Sequence, residues 1–188
     1  MTRILGIAGS LRKGSYNKAL LRAAAVLAPD GVVIEVAGIE GIPVYDGDLE
    51  AESGIPEPVR ALKERVAAAE GLLLVTPEYN NSMPGAFKNA IDWMTRPSSD
   101  IPKVFGNKPT ALLGATPGGF GTLLSQTSWL PVLRALRVRL WLGGGSFLVS
   151  RAHDVFDADG KLQDAELEDK LRKFVAGFAT FVATSPDA

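Results

Sequence analysis

The sequence predicts an α/β fold: a doubly wound five-stranded parallel sheet with helices on both faces. Three observations predict it. Short apolar runs alternate along the chain with segments of helical periodicity. The runs are apolar throughout, as suits parallel strands covered on both sides. The turns after the first, third and fourth runs are rich in glycine, proline and short polar side chains. In open α/β sheets that carboxyl edge is where ligands sit.

The expected strands cover residues 4–8, 32–36, 72–75, 110–115 and, less clearly, 138–142. A helix starting near Ser15 buries Ala19, Leu20, Ala23, Ala24 and Leu27. The next buries Val59, Leu62, Val66 and Ala69, with Pro58 suited to its first turn. A third runs from about Gly85 through Ala90, Ile91 and Met94. The last carries Leu167, Leu171, Phe174, Val175, Phe178 and Val182 on one stripe. Its outer face pairs Glu166 with Lys170 and Asp169 with Lys173 in the favourable i, i+4 order. Residues 38–58 and 96–109 read as long loops of a kind that is often functional.

The 188 residues fit one domain spanning 1–188. A chain of this size buries roughly 70% of its unfolded surface and needs no staple to fold. There is no cysteine, which excludes disulfides, thiolate catalysis and Cys-ligated metals and is compatible with a cytoplasmic location. The net charge of −1, with both signs scattered, argues against a nucleic-acid partner. The N-terminal apolar run is too short for a signal peptide. No run approaches the roughly 18–20 residues of a membrane span.

Three loops carry the candidate chemistry. The first is Gly9-Ser10-Leu11-Arg12-Lys13-Gly14-Ser15-Tyr16-Asn17. It leaves a strand and enters a helix, so backbone N–H groups and the helix dipole favour an anion there. Ser10, Ser15 and Asn17 add neutral donors and Arg12 a charged, forked one. Such a set suits a phosphate monoester. The P-loop pattern fails because Ser15-Tyr16 stands where Lys-Ser/Thr is required. The glycine spacing does not give the dinucleotide fingerprint either. On the structural alternative, Ser15 caps a helix and Arg12 is a solvated charge.

The second loop is Thr76-Pro77-Glu78-Tyr79-Asn80-Asn81-Ser82-Met83-Pro84-Gly85. Pro77 and Pro84 stiffen it, Tyr79 offers a flat face, and Asn80 and Ser82 can address a polar ring edge. The composition suits a heteroaromatic ligand, although turn formers alone would give a similar string. The third loop, Ala115-Thr116-Pro117-Gly118-Gly119-Phe120-Gly121, lets backbone approach a ligand closely. Trp93, Trp129 and Trp141 read as core or interface, and Asp92 as a structural hydrogen-bond partner. His153, the one histidine, reads as a surface residue.

Together these loops resemble the NADPH-dependent FMN reductase family, within the flavodoxin-like fold, and its bacterial chromate/quinone reductase branch. The first loop carries the likeness with Pro43-Val44-Tyr45-Asp46 and Thr76-Pro77-Glu78-Tyr79-Asn80. The last motif continues through Ser82, Pro84, Gly85 and Lys88-Asn89-Ala90-Ile91-Asp92-Trp93. The resemblance spans nearly the whole chain. It implies bound FMN, with the phosphate on Ser10, Arg12, Ser15 and Asn17 beside Tyr16. It implies a ring bordered by Pro77, Glu78, Tyr79, Asn80 and Ser82, and by backbone around Ala115, Thr116, Gly118 and Gly119.

The resemblance also implies electrons taken from NADPH or NADH by ping-pong exchange and passed to quinones, chromate, azo compounds or free flavin. The flavin carries the chemistry, so no catalytic side chain and no metal is expected. Family members are commonly homodimers or homotetramers. Leu123 and Trp129 stand about where relatives often carry charged residues, which bears on tetramer contacts and acceptor choice. An alternative is a flavodoxin-type electron carrier, though such carriers tend to be strongly acidic. A nucleotide kinase is disfavoured by the missing lysine.

Overall fold

The structure, a computed structural model, describes residues 1–143 and 145–184. Gly144 and residues 185–188, which the expected domain of 1–188 includes, lie outside the described residues.

The elements run β1 (Thr2–Ala8), α1 (Tyr16–Val26), β2 (Val32–Ala37), α2 (Gly47–Ser53), α3 (Glu57–Ala68) and β3 (Gly71–Val75). They continue with α4 (Gly85–Met94), a 3₁₀ turn at Ser98–Asp100, α5 (Ile101–Val104), β4 (Pro109–Ala115) and α6 (Leu123–Ala135). The chain closes with β5 (Arg139–Leu140), β6 (Phe147–Val149), α7 (Ala152–Val155) and α8 (Ala165–Ala183). The sheet is parallel, in the order β2-β1-β3-β4-β5. That is the flavodoxin-type order, whose switch point lies between β1 and β3.

The sheet has six strands rather than the expected five, because the fifth position is shared. Residues 138–142 give only the two-residue β5, on Pro109 and Thr110 of β4. The chain then leaves and returns as β6 on Leu113–Ala115. Trp141 accounts for the break. Its ring turns onto Phe174 and Phe178 of α8, with centroids 4.8 and 5.7 Å away. Gly145, with φ +67°, lets the backbone swing out.

Each face of the sheet is buried. Ile4, Ala8, Leu73 and Val75 pack with α1 and α8 on one side. Leu5, Ile7, Leu72 and Leu74 pack with α3, α4 and α6 on the other. Consecutive side chains of a strand point to opposite faces, so a continuously apolar run feeds both cores. Trp93 and Trp129 are fully buried, and Trp141 is half-buried. The two expected ion pairs on α8 are present at 2.6 and 2.7 Å. The expected loop 38–58 contains α2, whose Asp48 N–H is capped by the Asp46 carboxylate.

Candidate functional site

The three loops start side by side on the carboxyl edge of the sheet. Each continues its strand's ladder by one more rung. Gly9 N–H donates to Val75 O, Thr76 N–H to Leu113 O and Thr116 N–H to Val149 O, all at 2.9 Å. Neighbouring strands lie about 4.8 Å apart, so the rungs hold the loop roots in one row. Two glycines permit the crowding. A Cβ on Gly9 would stand 2.0 Å from the Phe87 ring, and one on Gly114 would stand 2.3 Å from Thr76 O.

The first loop wraps the N-terminus of α1. Ser15 is the N-cap, and its hydroxyl accepts from Lys18 N–H at 3.4 Å. Ser10 Oγ accepts from Arg12 N–H at 3.4 Å. Both serines are buried, and each keeps its hydroxyl hydrogen to donate. The first N–H groups of α1 have no intrahelical acceptor. Arg12 is exposed, and its guanidinium has no partner among the described residues. Lys18 Nζ grips Glu40 at 2.5 Å, tying α1 to the turn after β2. The hydrogen bond from Lys18 holds the Glu40 carboxyl below its ordinary value.

Asn17 and Tyr16 each also have a structural contact. The buried Asn17 amide donates to Ala115 O at 2.8 Å and accepts from Ala115 N–H at 2.9 Å. It clamps the first loop to the third, leaving one amide hydrogen and its backbone N–H for a ligand. Tyr16 turns toward the core, with its ring 6.1 Å from that of Phe156.

The second loop is a tight hairpin. Tyr79 and Ser82 exchange backbone bonds of 3.0 and 3.1 Å around Asn80 (φ 49°) and Asn81 (φ 61°). Two left-handed residues in a two-residue hairpin define a type I′ turn, for which asparagine is favoured after glycine. Tyr79 stands about half exposed on this turn. The root is fixed through Thr76, whose buried hydroxyl meets Ser125 Oγ at 2.8 Å and accepts from Trp129 Nε1 at 3.0 Å. Glu78 is expected at the ring border. Its carboxylate accepts from Ser125 N–H at 3.0 Å, in the first turn of α6. The N-cap residue Thr122 makes no side-chain cap there, so Glu78 fills that role.

The third loop is held from downstream. Ala152 N–H donates to Thr116 O and Arg151 N–H to Gly118 O, both at 3.0 Å. Thr116 Oγ1 accepts from Gly118 N–H at 3.3 Å. Gly119 N–H has no partner among the described residues. Gly118, Gly119 and Phe120 are exposed.

Other sequence features find structural explanations. Asp92 pairs with Lys88 at 2.7 Å, as expected of a structural partner. His153 is exposed on α7 beside Asp154. Trp129 lies inside the core against Phe87, so it is no surface contact, whereas Leu123 is exposed. The Pro43–Asp46 motif belongs with α4. Pro43 O accepts from Asn89 Nδ2 and Trp93 Nε1, and Asn89 Oδ1 accepts from Tyr45 N–H. Sequence reasoning missed Arg151 and Ala152, since nothing local connects them to a loop thirty residues earlier. It could have found the hairpin from the Asn-Asn pair.

A 2-1-3-4-5 parallel sheet with a helix N-terminus and two further loops on its carboxyl edge defines a flavodoxin-like protein. The family model described as NADPH-dependent FMN reductase matches residues 2–154. An NAD(P)H-dependent FMN reductase of Pseudomonas aeruginosa is 45% identical over 173 residues, covering 92% of this chain and 89% of its own. A 2-hydroxy-1,4-benzoquinone reductase of a Burkholderia species is 37% identical, covering 96% of each. The structure is similar to FerB, a flavoenzyme NAD(P)H:(acceptor) oxidoreductase of Paracoccus denitrificans. The TM-score is 0.85 and the identity 32%, over 98% of this chain and 99% of that one. The chain belongs to the NADPH-dependent FMN reductase family.

Proposed function

We propose that the protein is an FMN-dependent oxidoreductase that takes two electrons from NAD(P)H and delivers them to a quinone or a similar small acceptor. Chromate, azo compounds and free flavin are acceptors of the same kind. One observation carries the reading: an unpaired guanidinium, an exposed tyrosine and an unpartnered backbone N–H share one sheet edge.

These donors fit FMN. Arg12, the hydroxyls of Ser10 and Ser15 and the first N–H groups of α1, including that of Asn17, would hold the phosphate. Pro77, Tyr79, Asn80 and Ser82 would border the ring, with Glu78 holding their loop rather than touching it. Backbone of Thr116, Gly118 and Gly119 would address the ring's polar edge, since a Cβ on Gly119 would meet nothing within 4 Å. Bound FMN would supply the two-electron chemistry that links reduced nicotinamide to the acceptor. The protein orients and binds. Gly119 N–H is suited to stabilising negative charge at that edge, as an oxyanion-hole donor does.

The loop tips are exposed, which leaves room for nicotinamide to depart before the acceptor enters. Ping-pong kinetics with parallel initial-rate lines are therefore expected. The protein works as a single FMN-binding domain in the cytoplasm, with small molecules rather than nucleic acid as partners. It assembles as a homodimer or homotetramer. The successive exposed apolar side chains Phe120, Leu123 and Leu124 support that part of the reading. Light scattering on the purified protein tests it.

Colour tests the function. The purified protein should be yellow, bleach on adding NADPH and regain its absorbance with a quinone. A flavin that NADPH cannot bleach would indicate an electron carrier. A colourless preparation that takes up no FMN at micromolar concentration would overturn the reading.

A further inference from the structure

Peptide geometry links Arg151 to the site. A trans peptide is planar, with its C=O and N–H pointing in opposite directions. The Gly118–Gly119 peptide is trans, the one cis bond among the described residues being Arg96–Pro97. Arg151 N–H holds Gly118 O at 3.0 Å. Gly119 N–H must therefore point away from the segment that carries Arg151. It meets no acceptor there, and the space beside Gly119 is open.

Arg151 presents its N–H from a left-handed backbone, φ 47° and ψ 47°. Glycine adopts that region freely and β-branched residues scarcely at all. Such conformations persist where the surroundings enforce them, and they cluster at functional sites. Here the enforcement is visible. Val149 O accepts from Thr116 N–H before the turn, and Ala152 N–H donates to Thr116 O after it. On the opposite flank, a Cβ at Gly121 (φ +59°) would stand 2.8 Å from Leu148 Cβ. Residues 148–152 form a bracket around the third loop.

We propose that Arg151 is a positioning residue: its backbone turn fixes the Gly118–Gly119 peptide so that Gly119 N–H serves as the donor to the flavin's polar ring edge. The inference rests on the FMN reading above and adds what sets the donor's direction. Arg151 acts through its main chain, so its side-chain identity matters only as far as it permits the turn.

Four variants test this, read by FMN titration of the apoprotein and by the midpoint potential of the bound flavin. Arg151→Gly keeps both the turn and the N–H, and should match wild type. Arg151→Val disfavours the turn. It should bind FMN about tenfold more weakly, the fold-change equivalent of ~1.4 kcal/mol, and shift the potential to more negative values. Gly119→Ala keeps the donor and adds only a Cβ; whatever that does to FMN affinity, its potential should stay above that of Gly119→Pro. Gly119→Pro deletes the donor and should lower the potential with the fold intact by circular dichroism.

Wild-type FMN uptake, measured first, stands or falls with the function itself. Unchanged affinity and potential in Arg151→Val would overturn the bracket alone, even if its melting temperature drops. So would an Arg151→Gly variant as impaired as Arg151→Val, because the side chain would then be acting. Should Arg151→Val fail to fold, an unchanged potential in Gly119→Pro overturns the inference.

Discussion

The second and third loops meet over the same sheet edge, yet they are stabilised in different ways. The second is shaped from within. Its tip closes on itself through the Tyr79–Ser82 bonds, and Pro77 and Pro84 limit its ends. The third has no internal bond beyond the long Gly118–Thr116 contact and takes its shape from residues 149–152. A loop that folds on its own sequence can present a rigid surface such as Tyr79. A loop shaped from outside can leave a backbone donor such as Gly119 N–H unused.

Substitutions can break or sharpen that contrast. The largest effect is expected at the root of the second loop. Trp129→Ala empties a fully buried site and releases Thr76 Oγ1. Chemical denaturation should show a loss of about 3–5 kcal/mol, so even the self-shaped loop depends on α6 at its base. Arg12→Ala leaves the fold alone, because the guanidinium has no protein partner. Fluorescence titration should show FMN binding weakened by ~1.5–3 kcal/mol. An unchanged dissociation constant would remove the phosphate from this loop.

Asn81→Val opposes the left-handed backbone at the tip of the second loop. It should cost about 1–2 kcal/mol in unfolding free energy, whereas Asn81→Gly should cost nothing. Equal effects would mean that the turn is not what holds Tyr79. Glu78→Ala removes the α6 cap and should cost roughly 0.5–2 kcal/mol. Glu78→Gln keeps an acceptor for Ser125 N–H and should recover most of it. If Glu78→Gln instead weakens FMN as much as Glu78→Ala does, the carboxylate touches the ligand after all.

What the sequence made legible follows the same division. Strands buried on both faces show as continuous apolar runs, so β1, β3 and β4 fall within two residues of expectation. Helices α1, α3, α4 and α8 announce themselves by periodicity and by caps or prolines. The fifth sheet position was only half legible. Its second strand is Phe147–Val149, three residues that carry no periodic signal and are defined by pairing with Leu113–Ala115. The candidate binding loops were recognisable from their residue types. The partners of those residues were not. Asn17 reads as a ligand donor in one dimension, and only the fold brings Ala115 to its amide. Glu78 likewise reads as a charge beside a ring until α6 arrives with uncapped N–H groups.

The Asn17 clamp gives the fold an order of completion. Ninety-eight positions separate the amide from the backbone it holds. A chain ending at α4 carries every candidate phosphate donor, rooted on β3 through Gly9 N–H and Val75 O, but lacks the clamp on Ala115. The first loop is therefore tied to the third only once β4 lies beside β3.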